Sequence, residues 1–254
     1  MNIVLPIGAG LLIGFLIGLT GMGGGALMTP FLLIVMKLNP VTAIGTDLAF
    51  AAITKIVGGT QHYRHGNVSP KQVGWMALGS LPASLVSAQF VLRLAPHVVK
   101  NVLPTIVGIV LIVVGALIMA QALNIITSRE TADLVWPKPG ILVLIGAIGG
   151  ALVGMTSVGG GTVIMAMLMI FFTIPINYLV GLDVLHGALL AIIAALSYIL
   201  SGQTDWSLVG LLLIGSLPGA WMGAHSVNRL DRHTVRTILA LLILGAGINL
   251  LLHH

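Results

Sequence analysis

Charged side chains are scarce in this chain. Asp, Glu, Lys and Arg together make up 7% of its 254 residues, against roughly 25% in an ordinary soluble domain. A soluble protein of this size could not cover its surface with so few, so that class is excluded. Cysteine is absent, which excludes disulfides and thiol chemistry. The strict polar–apolar alternation of an outer-membrane barrel strand is also missing, since a stretch such as Val107 to Ala120 is apolar on every side. There is no Walker loop for ATP, no HExxH metal motif and no GxSxG nucleophile elbow, so no cofactor and no metal are expected. The first residues, Met-Asn-Ile-Val-Leu-Pro, lack a basic leader region and a small-residue cleavage site, so a cleaved signal peptide is not expected.

What the chain does have is apolar sequence: 57% of its residues are hydrophobic, in runs long enough to cross a bilayer as helices. The net charge of +5 lies in short loops between those runs, where it sets orientation rather than binding nucleic acid. The expected class is an all-α polytopic membrane protein.

An offset of 136 positions superposes the sequence on itself. Gly18-Leu-Thr-Gly-Met-Gly-Gly-Gly25 falls on Gly154-Met-Thr-Ser-Val-Gly-Gly-Gly161, and Gly45-Thr-Asp47 on Gly181-Leu-Asp183. Gly66 falls on Gly202, Gly79-Ser-Leu-Pro82 on Gly215-Ser-Leu-Pro218, and Arg93-Leu94 on Arg229-Leu230. The division read from this is a first transmembrane repeat over 1–122, a linker over 123–138 and a second repeat over 139–254. Each repeat holds five apolar segments, at 3–21, 25–37, 41–60, 72–92 and 98–122, then at 139–156, 161–174, 178–200, 207–227 and 234–251. The second segment of each is too short to span fully and is expected to be a half-helix.

Loop charge sets the expected topology. If each repeat crosses an odd number of times, Arg64, Lys71, Arg129, Lys138, Arg229, Arg232 and Arg236 share one side, and Lys37, Arg93 and Lys100 the other. An even count gives a less decisive split. The positive-inside rule therefore favours odd, mutually inverted repeats, with both termini away from the cytoplasm.

Candidate site residues follow from the two Gly-rich interruptions. Gly21, Gly23, Gly24 and Gly25 in the first repeat, and Gly159, Gly160 and Gly161 in the second, interrupt apolar runs where glycine is a poor helix former. Bare backbone at membrane depth survives only when buried or lining a cavity. The new helix N-terminus exposes amide donors that attract an anion, and Thr20, Thr156 and Ser157 stand beside the breaks. The two readings are a two-sided anion cradle and a packing corner without ligand. Ionisable residues inside the runs are Asp47, Lys55, Asp183 and His186. Such groups are expensive in lipid and usually face a cavity or one another. Lys55 reads as an anion attractor or a snorkelling cation. The aspartates read as helix caps, as acceptors of N–H bonds from the opposing break, or as groups for proton carriage or gating, and His186 as a proton carrier or a packed, hydrogen-bonded histidine. Ser80 with Pro82 and Ser216 with Pro218 are expected to kink their helices, and Gln89 and His225 to sit at the rim.

The ordered set of Gly-x-Gly-Gly-Gly in both halves, Gly45-Thr-Asp-Leu with Ala51-Ala-Ile-Thr-Lys55, Gly79-Ser-Leu-Pro82 and Thr204-Asp-Trp206 before Gly215-Ser-Leu-Pro-Gly219 resembles the TauE/SafE sulfite-exporter family of membrane permeases. The resemblance covers nearly the whole chain except the linker. It implies a secondary transporter of sulfite, sulfonates or related sulfur-containing anions in the cytoplasmic membrane. The chain departs from the family pattern at Ser69-Pro70 after Gly66-Asn-Val68, where that pattern often has Asp-Trp. It departs again at Tyr198-Ile-Leu-Ser-Gly202, where a His often precedes the loop glycine. Both departures bear on substrate identity. The alternatives to a transporter are a passive anion channel and an intramembrane enzyme. The expected partners are the lipid bilayer, a small anion and protons.

Overall fold

The computed structural model describes residues 3–20, 25–64, 69–126, 137–172, 176–226 and 232–253. Gly21, Gly23 and Gly24 of the first interruption, and most of the central linker, lie outside the described residues. Among the described residues there are ten α-helices and no strand. They are α1 Val4–Thr20, α2 Gly25–Pro30, α3 Pro40–Arg64, α4 Pro70–Leu92, α5 Pro96–Ala122, α6 Pro139–Thr156, α7 Gly160–Phe171, α8 Ile176–Leu200, α9 Trp206–Ser226 and α10 Arg232–Leu252. A π-helical turn, Phe31–Val35, continues α2.

Local chemistry explains many of the boundaries. Proline opens α3, α4, α5 and α6, at the position where a missing N–H costs nothing and the fixed φ is already helical. The Asn39 side chain accepts from the Val41 amide at 3.0 Å beside the start of α3. Asp205 caps α9 by accepting from the Leu208 amide at 2.9 Å. Pro30 supplies no amide, and the helix widens into the π-turn directly after it. Pro82 and Pro218 sit inside helices that continue past them.

Six helices are long and apolar enough to cross a membrane: α4, α5, α6, α9 and most of α8 and α10. Large apolar side chains point outward along them, including Leu78, Val86, Phe90, Ile109, Leu144, Ile214 and Trp221. Water would be a poor solvent for such a surface and hydrocarbon a good one. The chain is a multi-pass membrane protein.

Four helix pairs carry most of the packing: α1 on α9, α4 on α6, α5 on α10 and α3 on α8. Glycines permit the closest approaches. A Cβ at Gly14 would collide with the Ser216 backbone, and one at Gly215 with the Ile7 carbonyl. The same holds for Gly79 against Val143 and for Gly150 against Ser80. Small residues at such seams let backbones meet where lipid supplies no hydrophobic drive between helices. The order of these contacts makes α1 parallel to α9 and α4 parallel to α6. Gly45 lies against Tyr198 and Gly187 against Lys55, so α3 and α8 run antiparallel. Gly108 meets Gly247 and Gly115 meets Leu244, so α5 and α10 do too. An apolar layer including Met28, Leu32, Phe50, Leu111, Leu212 and Ile243 fills the space beside α5 and α10.

Candidate functional site

The junction between α6 and α7 is the best-described part of the site. Helix α6 ends at Thr156, and Ser157 adopts a left-handed conformation with φ 60°. A second left-handed residue, Gly159 with φ 93°, caps α7. Glycine suits that conformation because it has no Cβ, whereas Ser157 is an uncommon occupant. The Ser157 amide closes α6 by donating to the Val153 carbonyl at 2.8 Å. The Thr156 hydroxyl is used locally, donating to the Leu152 carbonyl at 2.7 Å and accepting from the Val158 amide at 3.1 Å.

The first ladder bond of α7 runs from the Val163 amide to the Gly159 carbonyl at 2.9 Å. The amides of Gly160, Gly161 and Thr162 therefore precede any intrahelical partner, and no side chain caps them. These residues line a pocket together with Ser157, Gly159 and Lys55. Leu48, Ala51, Val153 and Leu190 form its apolar walls. The Ser157 hydroxyl is buried and has no hydrogen-bond partner among the described residues. Lys55 is half-buried and forms no ion pair among them. Free amides at a helix N-terminus, an unengaged hydroxyl and an ammonium group together make an anion-binding chemistry.

Of the sequence-predicted ionisable groups, Lys55 lines this pocket and Asp183 lies against Gly161 of its wall. Asp47 and Asp183 are each about two turns into their helices, too deep to cap the N-termini of those helices themselves. Asp47 is fully buried and accepts from the Thr29 hydroxyl; its Oδ1 has no partner among the described residues. Asp183 is also buried, with its carboxylate against Gly161, where only the missing Cβ leaves room. Its Oδ1 is likewise unpartnered. His186 is buried with Nε2 2.8 Å from Ser80 Oγ, while its Nδ1 is unpartnered. Gly187 is the point where α8 gives way to the Lys55 ammonium, because a Cβ there would strike Nζ.

In the first repeat, Thr20 is the last residue of α1 and Gly25 the first of α2. Gln89 and His225 are exposed. Sequence reasoning missed Thr29, whose hydroxyl reaches Asp47 and lies 3.4 Å from the Thr156 carbonyl. The available signal was a lone hydroxyl before Pro30 inside an apolar run. Thr162 and Tyr198 were missed as well; the Tyr198 hydroxyl donates to the Gly154 carbonyl at 2.7 Å, tying α8 to α6.

Comparison with known proteins agrees with this architecture. The family model described as "Sulfite exporter TauE/SafE" matches residues 6–250. The chain is 34% identical over 252 residues to "Probable membrane transporter protein YjnA" of Bacillus subtilis, covering 95% of this chain and 97% of that one. A second Bacillus subtilis protein, "Probable membrane transporter protein YdhB", is 27% identical over 94% of this chain and 96% of its own length. A "Probable membrane transporter protein" of Xylella fastidiosa is 26% identical over 97% of this chain and 94% of its own length. No solved structure matches the chain. The pattern of spans, the glycine-bearing junction and the full-length match lead to one assignment: this chain belongs to the TauE/SafE sulfite exporter family of membrane transporters.

Proposed function

We propose that the chain is a secondary transporter that carries a small sulfur-containing anion, such as sulfite, a sulfonate or a related organic anion, across the cytoplasmic membrane by alternating access. The observation that carries this reading is the pocket where the free first-turn amides of α7, the Ser157 hydroxyl and the Lys55 ammonium converge. An oxyanion offers several acceptor oxygens and no strong donor, so it complements the first-turn amides of α7, the Ser157 hydroxyl and the Lys55 ammonium. In this reading Gly159, Gly160, Gly161 and Ser157 bind the anion from one side. Thr20, Gly21 and Gly23 to Gly25 do so from the other, and Thr156 shapes the turn. Asp47, Asp183 and His186 carry protons or gate access.

The halves are read as inverted repeats around this site. Support comes from the directions of the helices that the 136-position offset equates. α3 runs antiparallel to α8, and α5 to α10. The pairing of α1 with α9 is matched by that of α6 with α4, its counterpart under the same offset. Two such units can rock against each other around a fixed midplane site. Loop charge supports a topology with both termini on the non-cytoplasmic side.

Purified protein in liposomes tests the reading. The expected outcome is saturable flux of sulfite or ethanesulfonate, with counterflow when the opposite compartment is preloaded. Absence of flux for both anions rejects the substrate class. Flux that rises linearly with concentration and shows no counterflow rejects alternating access and leaves a passive channel.

A further inference from the structure

The α6 end of the same junction has the opposite chemistry from the α7 end. Acceptor oxygens gather there in excess of hydrogens. The Thr29 hydroxyl has a single proton, yet two acceptors lie within its reach: Asp47 Oδ2 and, at 3.4 Å, the Thr156 carbonyl. It can satisfy only one of them. Asp47 Oδ1 has no partner among the described residues; the buried Ser157 hydroxyl stands beside the carboxylate and adds one proton, so two hydroxyl protons face three acceptors, the two Asp47 oxygens and the Thr156 carbonyl. Thr29, Asp47 and Thr156 have no solvent exposure, and Ser157 is 8% exposed. Leaving buried acceptors unsatisfied is costly. The Thr156 carbonyl also lies at the negative end of the α6 dipole.

We propose that this cluster is a binding site for a monovalent alkali cation, formed by the Asp47 carboxylate, the Thr29 and Ser157 hydroxyls and the Thr156 carbonyl. All the ligands are oxygens, which suits a hard cation and disfavours transition metals that prefer nitrogen or sulfur. One carboxylate gives the site a single negative charge, which a monovalent ion neutralises; a divalent ion would leave a buried net charge. The interrupted helix thus offers a carbonyl end to a cation and an amide end to an anion, with Ser157 between them. A cation bound at the first end favours an anion at the second, which links the two solutes. The inference rests on the transporter reading only for that linkage; the cation site stands on its own geometry.

The test uses the purified full-length protein in detergent, with thermal unfolding followed in NaCl, KCl or choline chloride at equal ionic strength and pH. Na+ is expected to raise the unfolding midpoint saturably over choline. K+ acting in its place also supports the site. The Thr29→Val variant, which keeps the side-chain shape, is expected to weaken the apparent affinity of the effective cation about ten-fold. Asp47→Asn is expected to remove the response. Equal midpoints in all three salts overturn the proposal, as does an unchanged cation response in Thr29→Val. That second readout decides the matter even where Asp47→Asn does not fold. Sulfite binding measured on the same samples separates the two readings. Sulfite binding without a cation response rejects only the cation site, and a cation response without binding of sulfite or ethanesulfonate rejects only the anion reading.

Discussion

The two sides of the central α3–α8 contact are related by the sequence offset, yet they differ in chemistry. Asp47 on α3 corresponds to Asp183 on α8. Asp47 receives a hydroxyl from Thr29, whereas the position equivalent to Thr29 is Met165. Lys55 has Ala191 as its counterpart, and His186 has Phe50. Ser80 is bonded to His186, while its equivalent, Ser216, is buried without a partner among the described residues. Gly79 and Gly215 remain alike, and at each of them two helix backbones touch. The duplicated plan governs close packing, and single substitutions then place positive charge on α3 and imidazole on α8. A symmetric scaffold can therefore hold an asymmetric site.

Moving the charge breaks this comparison most severely. Lys55→Ala should lower the affinity for the transported anion about 100-fold, since a desolvated charged contact is commonly worth several kcal/mol. Binding titrations and liposome flux measure the loss. Adding Ala191→Lys, which returns an ammonium to the pocket wall from the equivalent position, should recover part of it. No recovery would mean that the two walls are not interchangeable.

The seams should respond alike on both sides. Gly79→Ala and Gly215→Ala each force a Cβ into a backbone carbonyl, with an expected cost of about 1–3 kcal/mol. Thermal unfolding in detergent should show comparable drops for the two variants. A large drop in one and none in the other would contradict the equivalence of α4–α6 and α9–α1 packing.

The serines should respond differently. Ser80→Ala strands the buried His186 ring nitrogen and should cost about 1–3 kcal/mol. Ser216→Ala removes a hydroxyl that has no partner among the described residues and should change stability by less than about 0.5 kcal/mol. Equal effects in the same unfolding assay would show that the asymmetry at this pair carries no energy.

Much of the fold was legible before any coordinates. The apolar runs coincide with the helices to within a few residues: 72–92 became α4 Pro70–Leu92, and 139–156 matches α6. Scarce charge and prolines at helix starts made those boundaries readable. The short second segments appeared as α2 with its π-turn and as α7. The site was legible only in part. Gly159, Gly160, Gly161, Ser157 and Lys55 line one pocket, but the role of Thr29 was invisible because its partner is eighteen positions away on another helix. The aspartates stood in their segments about where the structure has them, but which break each one faces was not readable; Asp183 lies against Gly161 in the first turn of α7.

The sequence by itself determined that the chain must live in lipid and that it is helical. Those properties depend on composition and on periodicity along the chain, which need no partner to exist. Only the tertiary structure decided which helices meet, that Asp183 presses on Gly161, that His186 bonds Ser80, and that Thr29 joins Asp47 beside the end of α6. These are contacts between groups distant in sequence, fixed by how closely glycine seams let the backbones approach.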